Sequence, residues 1–531
     1  MRRLRSWFGG ASQTGLRRVS IERARAVGPA PRRRPLPQAG EKILVAAAAA
    51  LMLTVLLGVG AGLEAAGWFG LFSLVCLATV LFESYLVDFR RAALTSLSRV
   101  VALSVLLVGV LGCVRAFHEL IGLERAAFLP LAFASLVMAL VWGRALALES
   151  TVFVAALIGL YAYLHQPGAE GTAGLVVAAT GGLVAALGAA EVKRRQTLVR
   201  LGLVIGFTQA ATAGAFLLMG TGENVGSEMI GTLFLLGMEG LFVGLLVSGC
   251  LPIIEDLFDV TTDISLLELG NTHEHPLLRK LLLEAPGTFH HSYIVGLLAE
   301  ASAEAVGGNA LLARVGALYH DIGKLNKPEY FAENSADARG RHRDLTPEMS
   351  TLIISAHTRD GVELGRYHGL PQAILNFMPE HHGTSCIEFF YRAAQDMRGE
   401  ENVSEASFRY VGPKPQSVEP AIVMIADAAE AISRQMPDPN PARLREMVHE
   451  VVFKRLMDGQ FAECPLTLAD LARIEEASAR VLAGIYHQRP TYPKGRPHPL
   501  DLAQPRERRS ARESGRMRGG ETERALRGGR A

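Results

Sequence analysis

The chain has 531 residues, is 49% hydrophobic and has a positive mean hydropathy, which argues against an ordinary soluble globular protein and fits one that is half membrane. Its net charge of +2 gives no whole-chain argument for nucleic-acid binding, and no nucleic-acid partner is expected. Five scattered cysteines (Cys76, Cys113, Cys250, Cys386 and Cys464) form no CxxC pair, so neither a disulfide framework nor a zinc knuckle is indicated.

Residues 1–42 are strongly basic and read as a disordered cytoplasmic arm suited to anionic lipid. Residues 43–258 form a succession of long apolar runs. A bilayer core of roughly 30 Å needs about 20 apolar residues per helix, and eight spans are expected near 43–63, 66–89, 99–115, 126–143, 151–165, 172–190, 200–219 and 229–254. A cleavable signal peptide is not expected, because 42 residues precede the first run and no cleavage site leads to an exported domain. Lys and Arg concentrate in the loops that fall inside if the N-terminus is inside: Arg90, Arg91 and Arg99, then Arg144, then Lys193, Arg194, Arg195 and Arg200. The outer loops "HQPGAEG" and "GTGENVGSE" carry none. The expectation is a multi-pass protein of the cytoplasmic membrane with everything after the last span in the cytoplasm. Glu83 is an ionisable residue within a span, but no span carries the repeated carboxylates or gating arginines of a transporter or voltage sensor. An anchor with a sensing role is the reading of this half.

Residues 259–287 read as a linker helix region and residues 288–488 as an all-helical bundle. Helices are expected from Thr288 to about Val306, from Asn309 through Ile322, from Thr346, from Pro371 and from near Glu419, each marked by a capping residue or by proline at its start. The fold class is therefore all-α throughout. The tail, 489–531, is basic, almost without apolar residues, and expected to be disordered.

Each of the five bundle helices carries an imidazole or carboxylate where its surroundings are apolar. These are His291 in "TFHHS", His320 and Asp321 in "YHDIGK", His357 in "ISAH", His381 and His382 in "EHHGT", and Asp427 in "MIADAAE". A lone histidine on an apolar helix face is ordinarily a hydrogen-bonded core residue. Seven such residues on five helices are different, since an aspartate buried within "IVMIADAAEAI" needs a cation, and a metal can serve all seven. Imidazole and carboxylate without thiolate suit iron, manganese or another first-row divalent metal. Seven ligands exceed what one ion with an open position uses, so two ions are implied, bridged by a carboxylate and activating a water between them. His320 and Asp321 point about 100° apart on a helix, so they meet at one centre only by approaching it from the side. Lys324, one turn from His320, either neutralises a phosphate oxygen or is a solvated helix-end lysine, and Thr384 either donates to a phosphate or caps the next helix. His290 is expected to pack behind His291, while His273, His275, His342 and His368 read as surface histidines.

The order His, His-Asp, His, His-His, Asp resembles that of the HD-domain phosphohydrolases. The strings "LLEAPGTFHHSYIVGLLAEASAEAVGGNALLARVGALYHDIGKLNKPEYFAEN" and "DGVELGRYHGLPQAILNFMPEHHGTSCIEFFY" closely resemble the seven-transmembrane HD (PgpH-type) cyclic-di-AMP phosphodiesterases, over residues 72–434. The resemblance implies that His291, His320, Asp321 and Asp427 hold one ion, and that Asp321 bridges to a second held by His357, His381 and His382. It also implies iron or manganese as the metal; Asp321 and Lys324 are the candidate catalytic residues, and Lys324 and Thr384 the candidate substrate contacts. The implied reaction is hydrolysis of a cyclic dinucleotide to linear pApA at the lipid bilayer; a homodimer is an open option that the sequence itself does not decide. The chain departs from the family in one respect: its first two spans are joined by only a few residues, where the typical member has a large extracellular domain.

Overall fold

The computed structural model describes residues 39–89, 97–121, 129–165, 169–189, 192–221, 227–258 and 260–486. Most of the basic arm, the loop at Arg90 and Arg91, residues 122–128, 166–168 and 222–226 of three outer loops, and the tail beyond 486 lie outside the described residues. Among the described residues there is no strand, only one isolated bridge between Cys386 and Arg409.

Eight helices make the first half: α1 (Ala39–Gly58), α2 (Ala65–Phe89), α3 (Leu97–Ile121), α4 (Leu129–Trp142), α5 (Arg144–His165), α6 (Ala169–Gly188), α7 (Arg195–Thr221) and α8 (Ser227–Phe258). Seven are long and apolar enough to cross a membrane, and α4 is a shorter apolar helix. Large apolar side chains face outward all round, among them Ile43, Phe69, Phe207 and Phe234. That is the pattern of helices solvated by hydrocarbon, and the chain is a membrane protein. The short α4 sits at the centre, with Leu131, Ala134, Leu136 and Met138 fully buried. At 14 residues it measures about 21 Å at 1.5 Å per residue. The fifth helix, expected from residue 151, begins at Arg144, because Gly143 at φ +90° reverses the chain in one residue and lets Leu146 and Ala147 enter the core.

Helices α7 and α8 touch backbone to backbone. A Cβ on Gly206 would lie 2.5 Å from the Gly237 oxygen, one on Gly202 would lie 2.5 Å from the Gly240 oxygen, and one on Gly240 would overlap the Gly206 backbone. Small residues four apart on facing helices permit this approach, and close packing is the main attraction between helices in lipid.

Helix α8 has 32 residues and spans about 48 Å, more than a hydrocarbon core requires. Its last turns run on to the second half, where Glu255 accepts hydrogen bonds from the Thr262 amide (2.9 Å), the Thr262 hydroxyl (2.6 Å) and the Ser265 hydroxyl (2.6 Å). These start α9 (Asp263–Leu269), which is followed by α10 (Pro276–Glu284). The segment read as a linker thus carries two helices. Leu277, Leu278 and Leu281 pack with Val315 and Ile374 in a core shared with the bundle.

The bundle comprises α11 (Pro286–Val306), α12 (Ala310–Tyr319), a 3-10 helix at Ile322–Asn326, α13 (Ala338–Arg343), α14 (Pro347–Tyr367), α15 (Gln372–Leu375), α16 (Phe377–Glu380), α17 (Glu388–Arg398), α18 (Val418–Ser433), α19 (Pro441–Met457) and α20 (Leu468–Ile485). Its main core joins Val295 and Leu298 of α11 to Ile422 and Ile425 of α18, Val448 of α19 and Ile474 of α20. The Asn309 and Thr346 side chains cap α12 and α14 as expected.

Candidate metal centre

All seven predicted ligand residues converge on one point of the bundle. His291 projects from α11 and Asp427 from α18, with 3.0 Å between His291 Nε2 and Asp427 Oδ1. Helix α12 ends at Tyr319, three residues earlier than expected, and His320 is its C-cap. The chain then tightens into the 3-10 helix, so Asp321 leaves the α-helical spiral and comes within 3.2 Å of His320 Nε2. Gly323 is what lets this segment meet α14: a Cβ there would overlap the His357 carbonyl oxygen and lie 2.5 Å from the Gly361 nitrogen. His357 comes from α14. His381 and His382 follow α16, His381 being its C-cap.

The two oxygens of Asp321 face different partners. Its Oδ2 is 3.2 Å from His320 and 3.8 Å from His291, whereas its Oδ1 is 3.3 Å from His357 and 3.7 Å from His381. Ligand atoms within 4.8 Å of one another form three groups: His291, His320 and Asp427; His357, His381 and His382; and His320, Asp321 and His381. Two triads with a carboxylate between them is an arrangement that could hold metal. Four buried atoms here have no hydrogen-bond partner, namely His320 Nε2, His357 Nε2, His381 Nε2 and Asp321 Oδ1. Buried polar atoms are rarely left so, and the donor set fits a divalent first-row ion.

Second partners orient most of the rings. His320 Nδ1 donates to the Ala317 oxygen (2.6 Å), His357 Nδ1 to the Ile354 oxygen (2.5 Å) and His381 Nδ1 to the Phe377 oxygen (2.9 Å). A carbonyl only accepts, so each Nδ1 carries the proton and each Nε2 keeps its lone pair toward the centre. His291 Nδ1 is hydrogen-bonded to Glu430. His382 is different: its ring stacks on Tyr410, with centroids 4.2 Å apart and 25° between planes.

Electrostatics divide the site in the same way. Burial pushes His381 down to about 3, assisted by the charge on His320, and burial with the charge on His381 holds His382 well below the usual range. For His291 burial acts in the same direction, yet hydrogen bonds to Asp427 and Glu430 overcome it and push the group up to about 10. Asp321 is held well below the usual carboxylate range: burial would raise it, but the charges on His320 and Lys324 outweigh that.

Lys324 lies at the edge of the centre, 13% exposed, with its ammonium 2.7 Å from both Asp321 and Glu333. Thr384 is tied to Gln460, its amide donating to Gln460 Oε1 (2.9 Å) and its hydroxyl accepting from Gln460 Nε2 (3.0 Å). It caps no helix, since Ile387 is the N-cap of α17. His290 is exposed and packs behind nothing, and His342 is a half-buried ring 5.1 Å from Phe390. Sequence reasoning missed Glu430, Glu333 and Tyr410. Only Glu430 had a visible signal, a carboxylate three residues after Asp427 and so on the same helix face.

Comparison with known proteins gives the same division of the chain. Residues 65–262 match the family described as "7TM receptor with intracellular HD hydrolase", and residues 288–432 match the HD domain family. The "Cyclic-di-AMP phosphodiesterase PgpH" of Bacillus subtilis (strain 168) is 43% identical over 301 residues, covering 56% of this chain and 42% of the relative. The protein of the same name from Listeria monocytogenes is 36% identical over 382 residues, covering 71% of this chain and 52% of the relative. The chain thus spans about half the length of the curated relatives it matches. The crystal structure of the L. monocytogenes PgpH HD domain in complex with cyclic-di-AMP is 45% identical, covers 41% of this chain and 100% of that one, and superposes with a TM-score of 0.39.

Proposed function

We propose that this chain, a member of the family that joins a seven-transmembrane domain to an HD hydrolase domain, is a membrane-bound, metal-dependent phosphodiesterase that hydrolyses cyclic-di-AMP to linear pApA. Relatives named for that activity support the substrate. The observation that carries the reading is Asp321, whose Oδ2 faces His320 and His291 and whose Oδ1 faces His357 and His381, with the Nε2 atoms of His320, His357 and His381 unpartnered. His291, His320, Asp321 and Asp427 would hold one ion and His357, His381 and His382, with Asp321, the other. The donor set suits iron, manganese or another first-row divalent metal, and two such ions held there would supply a water of lowered pKa and neutralise phosphoryl charge.

The residues themselves have separable tasks. Glu430 and the carbonyls of Ala317, Ile354 and Phe377 fix the rings. Lys324 keeps its proton, because the charges of Asp321 and Glu333 outweigh its burial, and so offers a positive charge to a phosphate oxygen. Ile322 and Tyr319, both fully buried, exclude bulk water behind Asp321.

The orientation proposed is HD domain inside. Lys193, Arg194 and Arg195 are exposed at the start of α7, and Arg195 reaches Glu268 of α9 at 3.0 Å, so the basic loop and the bundle share one side. Basic loops face the cytoplasm.

The test is hydrolysis by the full chain in detergent against a panel of cyclic dinucleotides and nucleotide monophosphates, with metal content measured on the same sample. Selective release of pApA, abolished by Asp321→Ala, is expected. Turnover of monophosphates alone would replace the substrate, and undiminished turnover by Asp321→Ala would remove the mechanism.

A further inference from the structure

The five imidazoles are not held alike, and the difference follows the two triads. In the first, His291 is backed by the Glu430 carboxylate and His320 by a backbone carbonyl, and Asp427 adds a charge of its own. In the second, His357 and His381 are backed by carbonyls, but no hydrogen bond holds the His382 ring among the described residues. Its Nδ1 is 3.7 Å from Asp427, beyond hydrogen-bond range, so ring contacts alone orient it: it stacks on Tyr410, and the rings of His381 and His357, its fellow candidate ligands, lie 3.9 and 5.2 Å away. The side chain of His382 is 17% exposed, whereas those of His291, His320, His357 and His381 are 4% exposed or less.

We propose that the two metal positions are unequal by construction. The position of His291, His320 and Asp427 fills first and tightly, with Glu430 as its positioning residue; the position of His357, His381 and His382 fills second and weakly, with Tyr410 as its positioning residue. Charge gives one reason. Besides the shared Asp321, the first position has Asp427 as a ligand and Glu430 behind His291, while the second has no carboxylate of its own, and a divalent ion prefers the more negative cage. Order gives the other. A ligand whose second nitrogen is anchored loses little freedom on binding, and such outer partners are worth about 10–100-fold in metal affinity. A stacked ring is free to slide in its plane and loses more. The consequence is regulatory: if turnover needs both ions, it follows the weaker constant, so free metal in the cell sets the active fraction of a protein whose first position is already full.

This inference rests on the metal-centre reading above but not on the identity of the substrate. The test is calorimetric titration of manganese into the full chain in detergent after chelator treatment, with bound metal counted by elemental analysis. The wild type should give two steps with constants about 10–100-fold apart. Glu430→Gln should weaken only the tighter step, Tyr410→Leu only the weaker, and Tyr410→Phe neither. His382→Gln should abolish the weaker step and leave the tighter. Two equal constants, or a Tyr410→Leu effect on the tighter step, would overturn the proposal, and the His382→Gln result decides it should Tyr410→Leu fail to fold. Unequal binding without hydrolysis of any cyclic dinucleotide would leave the inference standing and sink the substrate reading instead.

Discussion

In the membrane half, α7 and α8 meet through bare glycine backbone, and the buried side chains of Gln209 and Ser150 have no hydrogen-bond partner. In the bundle, the helices meet through Val, Ile and Leu, and four unpartnered buried atoms, on His320, Asp321, His357 and His381, gather at one point. Solvent explains the first contrast. Lipid is as apolar as leucine, so a leucine interface gains nothing by leaving it, and close backbone packing takes over; water does drive leucines together. Convergence explains the second. A single unpartnered atom such as the Ser150 hydroxyl is a local cost, whereas His320, His357, His381 and Asp321 within one small space make a cage.

If that contrast is sound, substitutions should fail differently in the two halves. The largest effect is expected from Asp321→Ala. Loss of the proposed bridge would remove several kcal/mol of charge stabilisation, about a thousandfold in turnover at 1.36 kcal/mol per tenfold; a steady-state assay that finds less than tenfold would break the bundle side of the comparison. Next comes Lys324→Ala, which leaves Asp321 and Glu333 buried without their shared cation. Breaking such a pair costs about 3–5 kcal/mol, read as a lower thermal midpoint of the metal-free protein. On the membrane side, Gly206→Leu should cost about 1–3 kcal/mol by overpacking while leaving manganese affinity unchanged; equal loss of both would mean the halves are not separable.

The pH dependence of metal loading sharpens the division within the bundle. His291, at about 10 without metal, must give up a proton when it becomes a ligand, so affinity at its position should rise about tenfold per pH unit below 10. His381 is pushed down to about 3, and His357 and His382 are also lowered, so the other position should be nearly flat around neutrality. Titrations at two pH values check both slopes. The smallest effect is expected from Arg195→Ala. Its ion pair with Glu268 is about half exposed and is worth no more than about 1 kcal/mol, so a shift beyond that in a denaturation midpoint would assign the junction a larger role.

What was legible in the sequence had a local signature. The seven candidate ligand residues stood out because each interrupts an apolar helical pattern, and the caps Asn309 and Thr346 announced their helices. What was hidden was long-range or depended on a helix ending early. Tyr410 meets His382 across 28 positions of chain, and Gln460 claims Thr384 across 76. The geometry of His320 and Asp321 was obscured by assuming that α12 continued to Ile322, when the switch to a tighter turn at His320 is what brings both to the centre. The start of α5 at Arg144 was missed because a glycine reversal allows helix to follow helix without a loop.

Gly323 sets the tolerance of this site. It sits between two ligand-bearing segments that must stay at a fixed spacing, and it keeps that spacing by having no side chain to insert. Even the smallest replacement, alanine, would act as a shim: every ligand would still be present, and the folded chain would be misaligned at the one place where the two segments meet. A motif search would pass such a variant as intact. Here the missing atom carries as much information as the histidines around it.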